Sequence, residues 1–127
     1  MTVAGAQDIH NDLSPQRDLL TFVYAAFNRR DIEPILAAMH PEVEWPNGME
    51  GGWVYGRDAV RSYWTRQWNL IDPRVEPVQF EPDAEGRIVV TVHQVIRDLA
   101  GATLMDRMVK HVYRIREGLI LRMDIRE

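Results

Sequence analysis

Hydrophobic and polar positions divide this chain into a half with helical period and a half with strand period. From Ser14, the stretch SPQRDLLTFVYAAFNRR places Leu19, Phe22, Val23, Ala26 and Phe27 at i, i+3, i+4, i+7 and i+8, one apolar helix face. Ser14-Pro15 marks its start, because serine caps an orphaned N–H and proline in the first turn loses no hydrogen bond. Asp31 caps a second helix, IEPILAAMH, which His40-Pro41 ends, since the residue before proline disfavours the α region. A third helix, RDAVRSYWTRQWNL, gathers Val60, Tyr63, Trp64 and Trp68 on one side and stops at Asp72-Pro73.

Between the second and third helices, EVEW alternates as a short strand with Val43 and Trp45 on one side, closed by the turn residues Pro46-Asn47-Gly48. The glycine-rich NGMEGGWVYG then crosses to the third helix, with Trp53 and Tyr55 as lid or mouth residues. Beyond Asp72-Pro73 the period becomes two. VEPVQFEP, interrupted by prolines, suits a sheet edge; GRIVVTVHQVIRDL, TLMDRMVKHVYRI and LILRMDI are alternating, β-rich runs joined at Ala100-Gly101 and Arg116-Glu117-Gly118. Helices first and antiparallel strands after define an α+β fold with helices on one face of a sheet. Residues 14–127 form one domain in this reading, and residues 1–13 are a loosely held segment.

Strand parity sorts the polar residues by face. A three-residue loop at Arg116-Glu117-Gly118 pairs Ile115 with Leu119 and His111 with Met123. One face then carries Val109, His111, Tyr113, Ile115, Leu119, Leu121, Met123 and Ile125. A two-residue turn at Ala100-Gly101 sets Val90, Val92, Gln94 and Ile96 beside His111, Val109, Arg107 and Met105, and turns His93 outward. His111 therefore faces the helices among apolar groups, where desolvation disfavours the imidazolium. Asp124 faces out, and enters beside His111 only if the register slips by one residue.

Composition excludes several classes of function. The 46% hydrophobic and 27% charged fractions are those of an ordinary globular domain. A net charge of −4, with 15 Lys and Arg scattered along the chain, gives no basic stripe for nucleic acid. With no cysteine there is neither a thiol nucleophile nor a thiolate metal site, and His10, His40, His93 and His111 lack ligand spacing, so neither metal nor cofactor is expected. No apolar run approaches the roughly 18 residues of a membrane span, and no secretion signal opens the chain, so a cytoplasmic location is expected. Arg29-Arg30-Asp31 reads as solvated charge.

In FVYAAFNRRDIEPILAAMHPEVEW, GRDAVRSYWTRQW and HVYRIREGLILRMDI, the chain resembles the nuclear-transport-factor-2-like superfamily, in its SnoaL-like and ketosteroid-isomerase-like branch. The resemblance implies three helices wrapped by a strongly curved, mostly antiparallel sheet into a cone-shaped roll with an apolar pocket, and frequently a homodimer through the outer sheet faces. Val89, Thr91, His93 and Val95 on that outer face are apolar enough to suit a second subunit.

One cone serves many chemistries, so site residues transfer one at a time. Where ketosteroid isomerases keep a carboxylate base, this chain has Asn47, which cannot act as one. Their oxyanion-hole tyrosine falls on Val23, with Tyr24 adjacent, and their protonated aspartic acid falls on His111. SnoaL-type cyclases use an aspartic acid near the end of the last strand, where Ile125 points inward. The limonene-type epoxide hydrolase relay finds only Asn47, with Trp45 in place of tyrosine. These matches leave His111 as the candidate acid/base group, Asp124 joining it only in the slipped register. Trp45, Asn47, Trp53, Tyr55, Tyr63, Gln94, Arg107, Tyr113 and Met123 are the candidate ligand contacts, and a small hydrophobic molecule is the expected ligand. The alternatives are a small acid/base enzyme of isomerase, cyclase, dehydratase or epoxide hydrolase type, and a non-catalytic dimerisation module.

Overall fold

The computed structural model describes residues 13–127. The segment expected to be loosely held over residues 1–13 lies, except for Leu13, outside the described residues. The elements run α1 (Ser14–Asn28), α2 (Ile32–Ala37), β1 (Met39–Pro46), β2 (Trp53–Tyr55), α3 (Arg57–Trp68), β3 (Asp72–Pro82), β4 (Ile88–Arg97), β5 (Thr103–Arg116) and β6 (Leu119–Arg126). Six strands form one open sheet in the order β2-β1-β6-β5-β4-β3, antiparallel except where β1 meets β6. The three helices pack on this sheet, the α+β roll expected from the order of periods.

The local differences from expectation have physical causes. On α1, Leu20 and Tyr24 are buried and Phe22 is 45% exposed, so the inward stripe is rotated from the purely apolar count. Tyr24 belongs to the inward stripe because its hydroxyl finds a buried partner, described below. Helix α2 stops at Ala37, and Met39, His40 and Pro41 already belong to β1. Proline fits there because the β1–β6 ladder is irregular between Met39 and Glu44, leaving no ladder bond for its missing N–H. The glycine-rich crossing contains a short strand, β2, paired with β1 through Trp53↔Pro46 and Tyr55↔Glu44. Strand β3 begins at the Asp72-Pro73 pair and lies at the sheet edge.

Arg30 is a clamp rather than a solvated charge. Its backbone sits at φ 64, closing α1. The guanidinium lies 5.6 Å from the Phe27 ring centroid and 5.2 Å from that of Trp68, and it pairs with Asp72. Next to it, Asn28 donates to Val75 O at 2.8 Å and accepts from Val75 N–H at 3.0 Å, tying the end of α1 to the edge strand.

From Ile88 to Ile96 the β4–β5 register is the expected one, with Val90 opposite His111 and Gln94 opposite Arg107. It shifts at Arg97, which pairs with Thr103, and Asp98 N–H donates to Ala102 O, so the connection is a three-residue loop rather than a two-residue Ala100-Gly101 turn. The β5–β6 hairpin also departs from expectation. Arg116 pairs with Leu119 around a two-residue turn, Glu117-Gly118, whose φ values of 55 and 77 are both left-handed. A bulge follows: Ile115 pairs with Ile120 but Arg114 with Arg122, leaving Leu121 without an opposite residue. The extra residue restores parity, so Tyr113 meets Met123 and His111 meets Ile125 instead of Met123. From Met123 onward the inward faces are as expected, but at the turn end of the hairpin Ile120, expected to face out, is fully buried in the core, while Leu119 and Leu121 are only half-buried.

Candidate functional site

Inward side chains from α1, β1, α3 and β3 to β6 surround a cavity of about 100 Å³. Its walls are aromatic. Trp45 and Trp64 meet edge to face with centroids 5.2 Å apart, and Phe27 meets Trp64 at 5.3 Å. Val23 and Val75 complete the floor, while Ile96, Ile125 and Gln67 are half-buried or more exposed and mark the mouth.

The polar groups are few and organised. Tyr113 Oη donates to Tyr24 Oη at 2.8 Å, and Tyr24 Oη lies 2.8 Å from His111 Nδ1. All three are at most 5% exposed. Burial, reinforced by the Arg107 guanidinium, pushes the His111 imidazolium down to about 4, so the ring is neutral at physiological pH. Burial likewise raises Tyr24 and Tyr113 above the usual phenol range. On the α3 side, Tyr63 Oη accepts from Gly48 N–H at 3.0 Å and from Gln67 Nε2 at 3.2 Å. Burial raises Tyr63 too. No Asp, Glu, Lys or Arg is among the described residues lining the cavity.

Chemically, this arrangement offers aromatic walls against which an apolar ring can pack and hydrogen bonds to an oxygen. It supplies no carboxylate base and no imidazolium acid. Among the described residues, no three His, Asp or Glu side chains converge as metal ligands, and no helix is long and apolar enough to cross a membrane.

The SnoaL-like domain family matches residues 21–123. The chain belongs to that family. TerC, crystallised with polyporic acid, is 30% identical, with 87% of this chain and 89% of TerC covered and a TM-score of 0.75. A nuclear-transport-factor-2-like protein of unknown function from Burkholderia pseudomallei K96243 is 29% identical over 87% of this chain and 88% of its own, with a TM-score of 0.75. A Mycobacterium tuberculosis protein crystallised with estradiol-17β-hemisuccinate shares the fold at 20% identity, covering 86% and 90% of the two chains with a TM-score of 0.73. Comparison with curated proteins finds no match.

Within this SnoaL-like chain, the cavity brings together Trp45, Tyr63, Gln94, His111, Tyr113 and Met123 from the sequence candidates. Arg107 stands behind it, donating from Nε to Gln94 Oε1 at 3.1 Å and pairing with Glu127. Three candidates lie elsewhere. Asn47 accepts from the Met49 and Glu50 N–H groups through Oδ1, capping the β1–β2 loop rather than facing the cavity. Trp53 lies under the Arg122 guanidinium at 4.0 Å, and Tyr55 is 63% exposed. Both sit on β2, whose pairing with β1 directs them away from the cavity lining.

Asp124 is opposite Val112 and held by Arg122, so the slipped register that would bring it beside His111 does not occur. Sequence reasoning missed Val23 and Phe27 as cavity walls, Gln67 as a polar mouth residue and Tyr24 as the partner of His111. The available signal was helical spacing: Leu20, Val23, Tyr24 and Phe27 form an i, i+3, i+4, i+7 stripe once tyrosine is allowed into it.

Proposed function

We propose that this protein binds a small, flat, apolar molecule bearing a carbonyl-type oxygen, with the ring packed against the wall formed by Trp45, Trp64 and Phe27 and the oxygen at His111. The observation that carries this reading is a neutral, hydrogen-bonded imidazole buried in the lining of a largely apolar and aromatic cavity. Size supports a modest ligand. An apolar cavity of about 150 Å³ holds benzene, so about 100 Å³ takes a single ring only in part, with the remainder of the ligand at the mouth. A fused four-ring nucleus needs more room than that. The co-crystal of TerC with polyporic acid supports a small organic occupant.

Chemistry that requires a charged acid or a carboxylate base at the ligand is disfavoured by the same lining. A neutral His111 serves as a hydrogen-bond donor that polarises an oxygen. Acetophenone is a suitable probe. Titration followed by amide chemical shifts is expected to move Trp45, Tyr63 and His111 together and saturably. Val23→Phe, which fills the floor, and Ile96→Phe, which narrows the mouth, should each weaken the binding. Saturation confined to surface residues, or equal affinity in both variants, would end this reading.

We further propose that a second copy meets the outer sheet face, where Met108 is 52% exposed opposite the half-buried His93. Sedimentation equilibrium should show a dimer that Met108→Lys weakens, and a monomer at all concentrations would contradict it.

A further inference from the structure

The buried relay behind His111 has a direction. Tyr113 Oη donates to Tyr24 Oη, so the Tyr24 hydrogen goes to His111 Nδ1. Reversing the chain would have Nδ1–H donate to Tyr24 and Tyr24 to Tyr113. The unmatched donor would then be the Tyr113 hydroxyl, on a residue 1% exposed, rather than the more open His111 ring, on a residue 5% exposed. With Nδ1 accepting, the neutral ring carries its proton on Nε2. Among the described residues, the buried side-chain nitrogens and oxygens without a partner are Gln16 Oε1 and Trp68 Nε1. Nε2 is not one of them, and its ring lines the cavity, so Nε2–H opens onto that space.

A second donor is set in the same way. The lone pairs of Tyr63 Oη are engaged by Gly48 N–H and Gln67 Nε2, which leaves the hydroxyl hydrogen turned toward the cavity that Tyr63 lines. Acceptors are scarce: the Gln94 amide oxygen already receives Arg107 Nε, and Gln67 sits half-buried at the mouth.

We infer that Tyr24, backed by Tyr113, is a positioning residue that locks His111 as an Nε2–H donor, making the cavity select bare acceptor oxygens over hydroxyls on the same skeleton. Ketones, quinones and enolates are the matching ligand class. An alcohol of equal shape would bury its own O–H against two donors. This inference rests on the cavity being the ligand site.

The test has two arms. In the first, histidine side-chain nitrogen NMR on the resting wild-type protein at neutral pH is expected to show His111 protonated at Nε2 and bare at Nδ1. Tyr113→Phe should keep that tautomer, because Tyr24 still donates, whereas Tyr24→Phe should yield a mixture. A wild-type ring protonated at Nδ1 overturns the lock, whatever the ligand results.

In the second arm, acetophenone is compared with 1-phenylethanol. The ketone is expected to bind about tenfold more tightly in the wild type, with the ratio falling to about twofold or less in Tyr24→Phe. Equal or tighter binding of the alcohol by the wild type overturns the selectivity. Binding of neither probe contradicts the ligand-site reading, and the selectivity with it, while the tautomer measurement still decides the lock.

Discussion

Tyr24 on α1 and His111 on β5, 87 residues apart, share a 2.8 Å hydrogen bond between Oη and Nδ1, with their rings stacked at 16° and centroids 5.9 Å apart. This contact joins the helical layer to the centre of the sheet. In the inference drawn above it also sets which nitrogen of His111 carries the proton. Stability and the proposed ligand recognition then share one pair of residues.

Stability should fall with acid in a window set by His111. Its native value near 4 lies below the ordinary histidine value of 6.5. Between those limits the unfolded chain binds the proton and the native state does not, so stability is full above about 6.5 and declines as pH falls toward 4. The loss attributable to this group is about 3 kcal/mol. Urea unfolding at pH 7, 5.5 and 4.5 should show it, and His111→Gln should flatten the dependence. An equal slope in the variant would place the acid sensitivity elsewhere.

Removing the central hydroxyl of the relay should cost more than removing the end one. Tyr24→Phe leaves both the Tyr113 hydroxyl and His111 Nδ1 without partners and is expected to cost about 2–3 kcal/mol, against about 1 kcal/mol for Tyr113→Phe. The double variant has no stranded tyrosine hydroxyl. Its loss should therefore be smaller than the sum of the single losses, a coupling that a double-mutant cycle in urea measures directly.

At Arg30 a side-chain clamp and a strained backbone coincide. Arg30→Ala removes the contacts to Phe27, Trp68 and Asp72 while keeping a left-handed residue, and is expected to cost about 2 kcal/mol. Arg30→Gly loses the same contacts but relieves φ 64, and should recover about 1 kcal/mol of that. Thermal midpoints ranked wild type, glycine, alanine are the expected order.

The Glu117-Gly118 turn offers a stabilising change. Glu117 at φ 55 is a poor occupant of a left-handed turn position, so Glu117→Asn should add about 0.5 kcal/mol. Gly118→Ala, at φ 77, should cost about 1 kcal/mol. Both are read from denaturation midpoints, with cavity binding unchanged.

The architecture was legible because period changes from 3.6 to 2 along the chain, and the inward position of His111 followed from parity in long, alternating strands. The hairpin that fixes its opposite residue was not. A left-handed glutamate followed by a bulge at Leu121 leaves no compositional mark, and two compensating departures returned His111 to its expected face while turning Ile120 inward. Candidates chosen for residue type in the glycine-rich crossing, Trp53 and Tyr55, failed because β2 pairs with β1 and turns them away. Tyr24 was overlooked because an apolar count excludes a hydroxyl, although a buried partner 87 residues away makes that hydroxyl compatible with burial.

The measurement that bears most directly on the site is a crystal structure of the protein soaked with acetophenone. The expected result places the ring against Trp45 and Trp64, with the carbonyl oxygen at hydrogen-bond distance from His111 Nε2 and the Tyr24 contact to Nδ1 intact. A ring bound outside the cavity, or a carbonyl turned to the mouth with His111 Nε2 left unengaged, would contradict it.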